Sequence, residues 1–183
     1  KEFVMPFIRV AGDMTIALNS GSVNTAAEIE FPKLQEIGGT LTLGTNRNAN
    51  NITFPLLKKI LGSCSVTTYK LKNDIEFTNL ESIGTDGADA QIKFEIEATN
   101  ILCPKLKTIN GKFDIATSSF MFDMEVDKVS YPNVESISEN LSITCPYSDF
   151  GSNGILSIDF SGLKSAKGIS ISGQGDVTDF SSF

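Results

Sequence analysis

One phrase recurs along this chain and constrains its fold more than any other feature. Its first full copy is Ile29-Glu-Phe31-Pro-Lys-Leu34-Gln-Glu-Ile37-Gly38-Gly39, followed by the alternating stretch Thr40-Leu41-Thr42-Leu43. Five further copies are anchored at Phe54, Phe77, Cys103, Tyr131 and Phe160, with apolar residues three and six positions beyond each anchor. The anchors lie 23, 23, 26, 28 and 29 residues apart. Self-similarity at such a period marks a solenoid, in which each repeat stacks on its neighbours because one coil cannot bury its own apolar stripe.

Each part of the phrase has a physical reading. The spacing anchor, anchor+3, anchor+6 carries the chain round a corner with three apolar side chains inward. Proline after the anchor fixes φ and keeps that segment out of a central strand. Glycine after the isoleucine permits the turn into the next segment. The following stretch alternates with period two, as a strand buried on one face does. Coils this short leave no room for a long helix. The expectation is a mainly β, parallel solenoid, one domain over residues 1–183, with about six full coils and partial coils at both ends. The opening partial coil is read from Val10-Ala-Gly12-Asp-Met14-Thr-Ile16, with residues 1–7 as a cap. The closing one is read from Phe180 and Phe183. A first residue other than Met and an ending inside a repeat suggest a piece of a longer chain.

Composition narrows the function. There are 22 acidic residues against 15 basic ones, a net charge of −7, and no His. Without His there is no Ser-His or Cys-His nucleophile and no His-bearing zinc site. Without Trp the commonest sugar-stacking platform is missing. Two Arg and no basic stripe argue against a nucleic-acid partner. No apolar run is long enough for a transmembrane helix. Cys64, Cys103 and Cys145 are odd in number and widely spaced; all three fall at apolar positions and read as buried free thiols. No cofactor or metal site is expected. The carboxylates of Asp123, Glu125 and Asp127 alternate along a predicted strand, at about 6.5–7 Å intervals that are too wide for one ion.

The phrase FPxLxxIgGxLxL resembles the receptor L-domain family and related leucine-rich-repeat surface proteins, among them bacterial surface lipoproteins and fungal wall proteins. The resemblance covers about residues 7–183. It implies a right-handed β-solenoid that is exported and acts by binding at the cell surface. Receptor L domains carry disulfides, so three scattered cysteines favour the bacterial branch and an outer-membrane lipoprotein; residues 173–183 also look like the last turns of bacterial members.

Two surfaces are left for function. The outward face of the main sheet is a ladder of hydroxyls with a charged middle: Thr15, Thr42, Ser65, Lys93, Glu95, Lys112, Asp114, Ser142 and Ser170 among them. The other is an edge of loops that follow the main strands, at 45–51, 68–74, 117–127 and 146–154, carrying Arg47, Tyr69, Phe120, Phe122, Tyr147 and Phe150. Of these, Arg47, Tyr69, Phe120, Tyr147 and Phe150 are the candidate ligand-binding residues. The partner would be a protein or a glycan, and end-to-end self-association is a further option. The competing readings are a structural spacer, or a polysaccharide-active enzyme using Lys93, Glu95, Lys112 and Asp114. An insertion at 85–90 leaves the next strand's register open. Like charges abreast cost roughly 0.2–1 kcal/mol and opposite charges gain as much, so Ile92 is expected beside Phe113, which sets Lys93 against Asp114 rather than Lys112.

Overall fold

A computed structural model describes residues 2–18, 27–45, 49–67, 75–85, 90–96, 101–117, 126–145 and 155–173. Within them the chain is mainly β, no helix occurs, and every strand pairing is parallel. The result is a β-solenoid of stacked parallel sheets.

Each coil reaches its corner through the repeated phrase. In all six copies the residue at anchor+3 donates its N–H to the anchor carbonyl, from Leu34 to Phe31 at 3.3 Å through Leu163 to Phe160 at 2.9 Å. This is a β-turn with the anchor at its first position, and proline suits the second because φ there is near −60°. The turn separates two short strands. Ahead of it run β1 (Glu2–Val4), β4 (Ala27–Glu30), β7 (Ala49–Thr53), β10 (Ile75–Glu76) and β13 (Ile101–Leu102) in one sheet, with β16 (Val126–Ser130) and β19 (Ile155–Asp159) as a separate pair. Behind it run β2 (Arg9–Val10), β5 (Glu36–Ile37), β8 (Lys59–Ile60), β11 (Ser82–Ile83), β14 (Thr108–Ile109) and β17 (Ser136–Ile137).

The alternating stretches make the third and widest sheet. It contains β3 (Met14–Leu18), β6 (Leu41–Thr45), β9 (Cys64–Thr67), β12 (Ala90–Ile96), β15 (Gly111–Thr117), β18 (Asn140–Cys145) and β20 (Gly168–Gly173), side by side in chain order. The bend between the second and third sheets needs close backbone approach. A Cβ on Gly62 would lie 2.6 Å from the Gly39 carbonyl carbon, and one on Gly38 would lie 2.3 Å from the Ala11 oxygen. Gly84 occupies the same bend with φ of 81°, in the left-handed region.

The core is the set of inward rows. Phe31, Leu34, Ile37, Leu41 and Leu43 are all buried, as are Phe54, Leu57, Ile60, Cys64 and Val66 in the next coil and Tyr131, Val134, Ile137, Leu141 and Ile143 further on. Phe31, Phe54 and Phe77 stack face to face with centroids 4.9 Å apart at both steps. Volume is then exchanged within a coil. Where the anchor shrinks to Cys103, the inward residue of the main sheet grows to Phe113, whose ring packs edge-on against Tyr131 at 5.3 Å. Where that inward residue is small, as at Cys64, the anchor of the same coil is the large Phe54, and both are fully buried. Cys64 and Cys103 are buried free thiols; the side chain of Cys145 lies outside the description. In the last copy Leu163 and Ala166 are only half-buried.

The start of the chain adds a strand to the sequence reading. Within the segment expected as a cap, Glu2–Val4 is a regular edge strand, in register with Glu28–Glu30. The Met5 N–H donates to Glu30 O at 3.1 Å, as Phe31 does to Thr53. The copy went unrecognised because its corner is one residue short. Gln35 bonds back to Ile8, three residues after Met5, whereas Lys58 bonds to Gln35, four after Phe31. The expected loops also shrink, since residues 49–51 belong to β7, 126–127 to β16 and Ala90 to β12.

Candidate binding face

The main sheet sets outward residues abreast. One row reads Thr15, Thr42, Ser65, Lys93, Asp114, Ser142, Ser170; the next reads Ala17, Gly44, Thr67, Glu95, Ala116, Thr144, Ser172. Neighbours along each row are about 4.8 Å apart, the parallel strand spacing. Ile92 stands beside Phe113 and Lys93 beside Asp114, as the charge argument requires. Thr15, Thr42, Lys112, Ser170 and Ser172 are exposed, and Ser65, Thr67, Asp114, Ser142 and Thr144 are half-buried. One abreast pair of hydroxyls bonds sideways, Thr144 Oγ1 and Ser172 Oγ at 3.4 Å. The described face is shallow because its side chains are short. Each hydroxyl both donates and accepts, so the face offers hydrogen bonds at a regular pitch to a flat or extended ligand.

Parallel pairing also sends the C-terminal ends of β6, β9, β12, β15 and β18 to one edge of this sheet. The segments holding Arg47, Tyr69, Phe120, Phe122, Tyr147 and Phe150 follow β6, β9, β15 and β18. Those six residues, like Asp86, Asp89, Asp123 and Glu125, lie outside the described residues. Among the described residues no group of three or more Cys, Asp or Glu is placed to hold a metal ion, and no helix is long and apolar enough to cross a membrane.

A second polar array escaped the sequence reading. At the position four beyond each anchor stand Gln35, Lys58, Glu81, Lys107, Glu135 and Lys164, each joined to the one before by a backbone bond of 2.8–2.9 Å. From Lys58 onward the charge alternates in sign. Lys164 Nζ reaches Glu135 Oε2 at 2.7 Å, and that hydrogen bond, with the charges of Lys164 and Lys107, holds the Glu135 carboxyl below its ordinary range. Beside this row Arg9 pairs with Glu36 at 2.8 Å and Lys167 with Glu139 at 2.9 Å. The signal was there to read, because the alternation appears once the repeats are aligned on their anchors and the outward column is followed. A ladder that neutralises itself attracts neither sign of ligand strongly. The hydroxyl-rich sheet, where the register sets Lys93 abreast of Asp114, is the more open surface.

No protein-family model, no curated protein and no solved structure matches this chain.

Proposed function

We propose that the protein is a non-catalytic binding module of the cell surface, which holds a protein or glycan ligand against the broad face of its main sheet. The observation that carries this reading is the seven-strand register that sets Thr15, Thr42, Ser142 and Ser170 in one outward row. A flat, regularly spaced set of donors and acceptors on a rigid scaffold suits recognition, whereas general acid–base or nucleophilic chemistry needs converging groups in a cleft. In this reading the solenoid is a right-handed, leucine-rich-repeat type with about six full coils. It belongs to an exported protein, an outer-membrane lipoprotein of a bacterium. In the same reading Arg47, Tyr69, Phe120, Tyr147 and Phe150, which follow main-sheet strands in the sequence, contribute contacts to that ligand.

The test is a binding screen of the purified chain on immobilised glycans and extracellular-matrix proteins at physiological salt. The expected result is a saturable hit weakened at least tenfold by Thr42→Arg with Ser142→Arg, both on the sheet face. A hit lost in Tyr147→Ala with Phe150→Ala but indifferent to the face variants would move the site to the edge. No hit from a folded protein would favour a spacer role instead.

A further inference from the structure

The sheet ahead of the corner is interrupted once, in the middle of the solenoid. Strands β1, β4, β7, β10 and β13 form one ladder and β16 and β19 a separate pair, so β13 and β16 do not join. Elsewhere one backbone rule holds. Met5, Phe31, Phe54, Phe77 and Tyr131 each donate their N–H to the carbonyl of the residue just before the next anchor, at 2.8–3.2 Å. Among the described residues Cys103 makes no such bond to Ser130. In a parallel ladder the residue that accepts this bond returns its own N–H to the carbonyl two places before the donor. At the interruption that carbonyl belongs to Ile101, and it accepts the Tyr131 hydroxyl instead, at 3.1 Å.

The two strands are otherwise matched for pairing. The register aligns Ile29, Ile52, Ile75 and Ile101, and Val129 with Ile158 carries the same inward row onward. No proline stands at 101–103 or 129–130. The other two sheets cross the same interface unbroken, β14 on β17 and β15 on β18, and at the corner Asn133 Nδ2 donates to Pro104 O at 2.8 Å. The core changes at this level too. The face-to-face stack of Phe31, Phe54 and Phe77 ends before Cys103, and beyond it Phe113 meets Tyr131 and Phe160 edge-on. A buried phenol needs an acceptor, and Tyr131 takes one from the ladder. Ile101 and Cys103 at the seam are 3% and 4% exposed, against 0% for Ile52, Phe54, Ile75 and Phe77.

We propose that the Tyr131 hydroxyl parts β13 from β16, and that the solenoid flexes at this seam, hinging on its two continuous sheets so that the Cys103 layer opens transiently to solvent. A side-chain bond and apolar contact close the seam where a backbone ladder closes the neighbouring interfaces, and local opening is drawn from such weakly bonded places. The device is independent of the proposed ligand.

Two buried thiols report on it. Cys103 lies behind the seam, whereas Cys64 sits in β9, which is paired on both sides. The experiment follows labelling of the full native chain by methyl methanethiosulfonate over many hours at pH 8, read by peptide mass mapping. Each thiol is scaled to its own rate in denaturant. Cys103 should label at least tenfold faster than Cys64. Tyr131→Phe, which leaves the Ile101 carbonyl to the Ser130 N–H, should slow Cys103 at least fivefold and leave Cys64 unchanged. Equal rates for the two thiols in the wild type overturn the inference, because the chain then opens only as a whole. Cys103 labelling that is unchanged or faster in Tyr131→Phe, alone or together with Cys64, also overturns it, since the hydroxyl then does not part the strands.

Discussion

Glu135 and Lys164, one coil apart, share an ion pair of 2.7 Å on top of a backbone bond of 2.9 Å between the same two residues. The pair sits on the surface, with lysine and glutamate side chains 73% and 43% exposed, so its strength depends on solvent conditions. The Glu135 carboxyl is held below its ordinary range, first by the Lys164 hydrogen bond and then by the Lys164 and Lys107 charges. A carboxyl with a lower pKa folded than unfolded stabilises the fold above the ordinary carboxylate range and stops doing so as pH falls through the folded value. Glu135→Gln should therefore lower the Tm modestly at neutral pH and low salt, and the gap should close in strong acid and shrink in molar salt. Circular-dichroism melts of both proteins check this; a gap that persists in acid contradicts it.

Phe54 lies fully buried between the rings of Phe31 and Phe77. Its removal takes away contacts on both sides and leaves a void that the stacked backbones cannot close. Phe54→Ala should cost about 3–5 kcal/mol, and Phe54→Leu distinctly less. Urea unfolding measures both. A loss below about 1 kcal/mol for the alanine variant would mean that the layer collapses into the space, against the close packing inferred from these contacts.

Glycines of the same bend column should differ sharply. A Cβ at Gly62 meets backbone atoms of Gly39 and Thr40 at 2.6–2.9 Å, whereas a Cβ at Gly12 meets nothing within 4 Å. Gly62→Ala should destabilise by about 1–3 kcal/mol through forced separation of two coils. Gly12→Ala should be near neutral, and any gain would come from a less flexible unfolded chain. Equal effects in thermal melts would refute the assignment of Gly62 to a close approach.

Burial pushes the Cys64 thiol up to about 12, and burial with Cys64 nearby pushes Cys103 up too. Thiolate is the reactive form. At pH 8 both cysteines should resist iodoacetamide in the native protein and react fully in denaturant, as peptide mass mapping will show. Because the folded value lies above the unfolded one, the stabilisation is whole below about pH 9 and fades as pH rises towards the folded value of about 12. Rapid native labelling of Cys64 would contradict its burial.

The inward rows were legible because the corner spacing is constant from Phe31 onward: Phe31, Leu34 and Ile37 predict Phe54, Leu57 and Ile60, and all six are buried. The register after the insertion was legible from charge, with Lys93 against Asp114. Strand β7 was missed because Ala49-Asn50-Asn51 carries no apolar alternation; its pairing rests on backbone hydrogen bonds, which any residue but proline supplies. Strand β1 was missed because one residue fewer between Met5 and Val10 puts the copy out of phase. Arg47, Tyr69, Phe120, Tyr147 and Phe150 fall in segments that do not repeat, where the periodicity that orders the rest gives no positional information.

The stacking of every coil on its sequence neighbours also makes the molecule a mechanical element. A pull applied between β1 and β20 runs across the strands, so it loads the lateral hydrogen bonds of one interface at a time instead of shearing a whole sheet. The coil that yields releases its 23 to 29 residues of slack, roughly 75–105 Å of extended chain, while its neighbours keep their own partners. Under tension the protein would lengthen in discrete steps of that size, absorbing work and re-spooling when the load is removed.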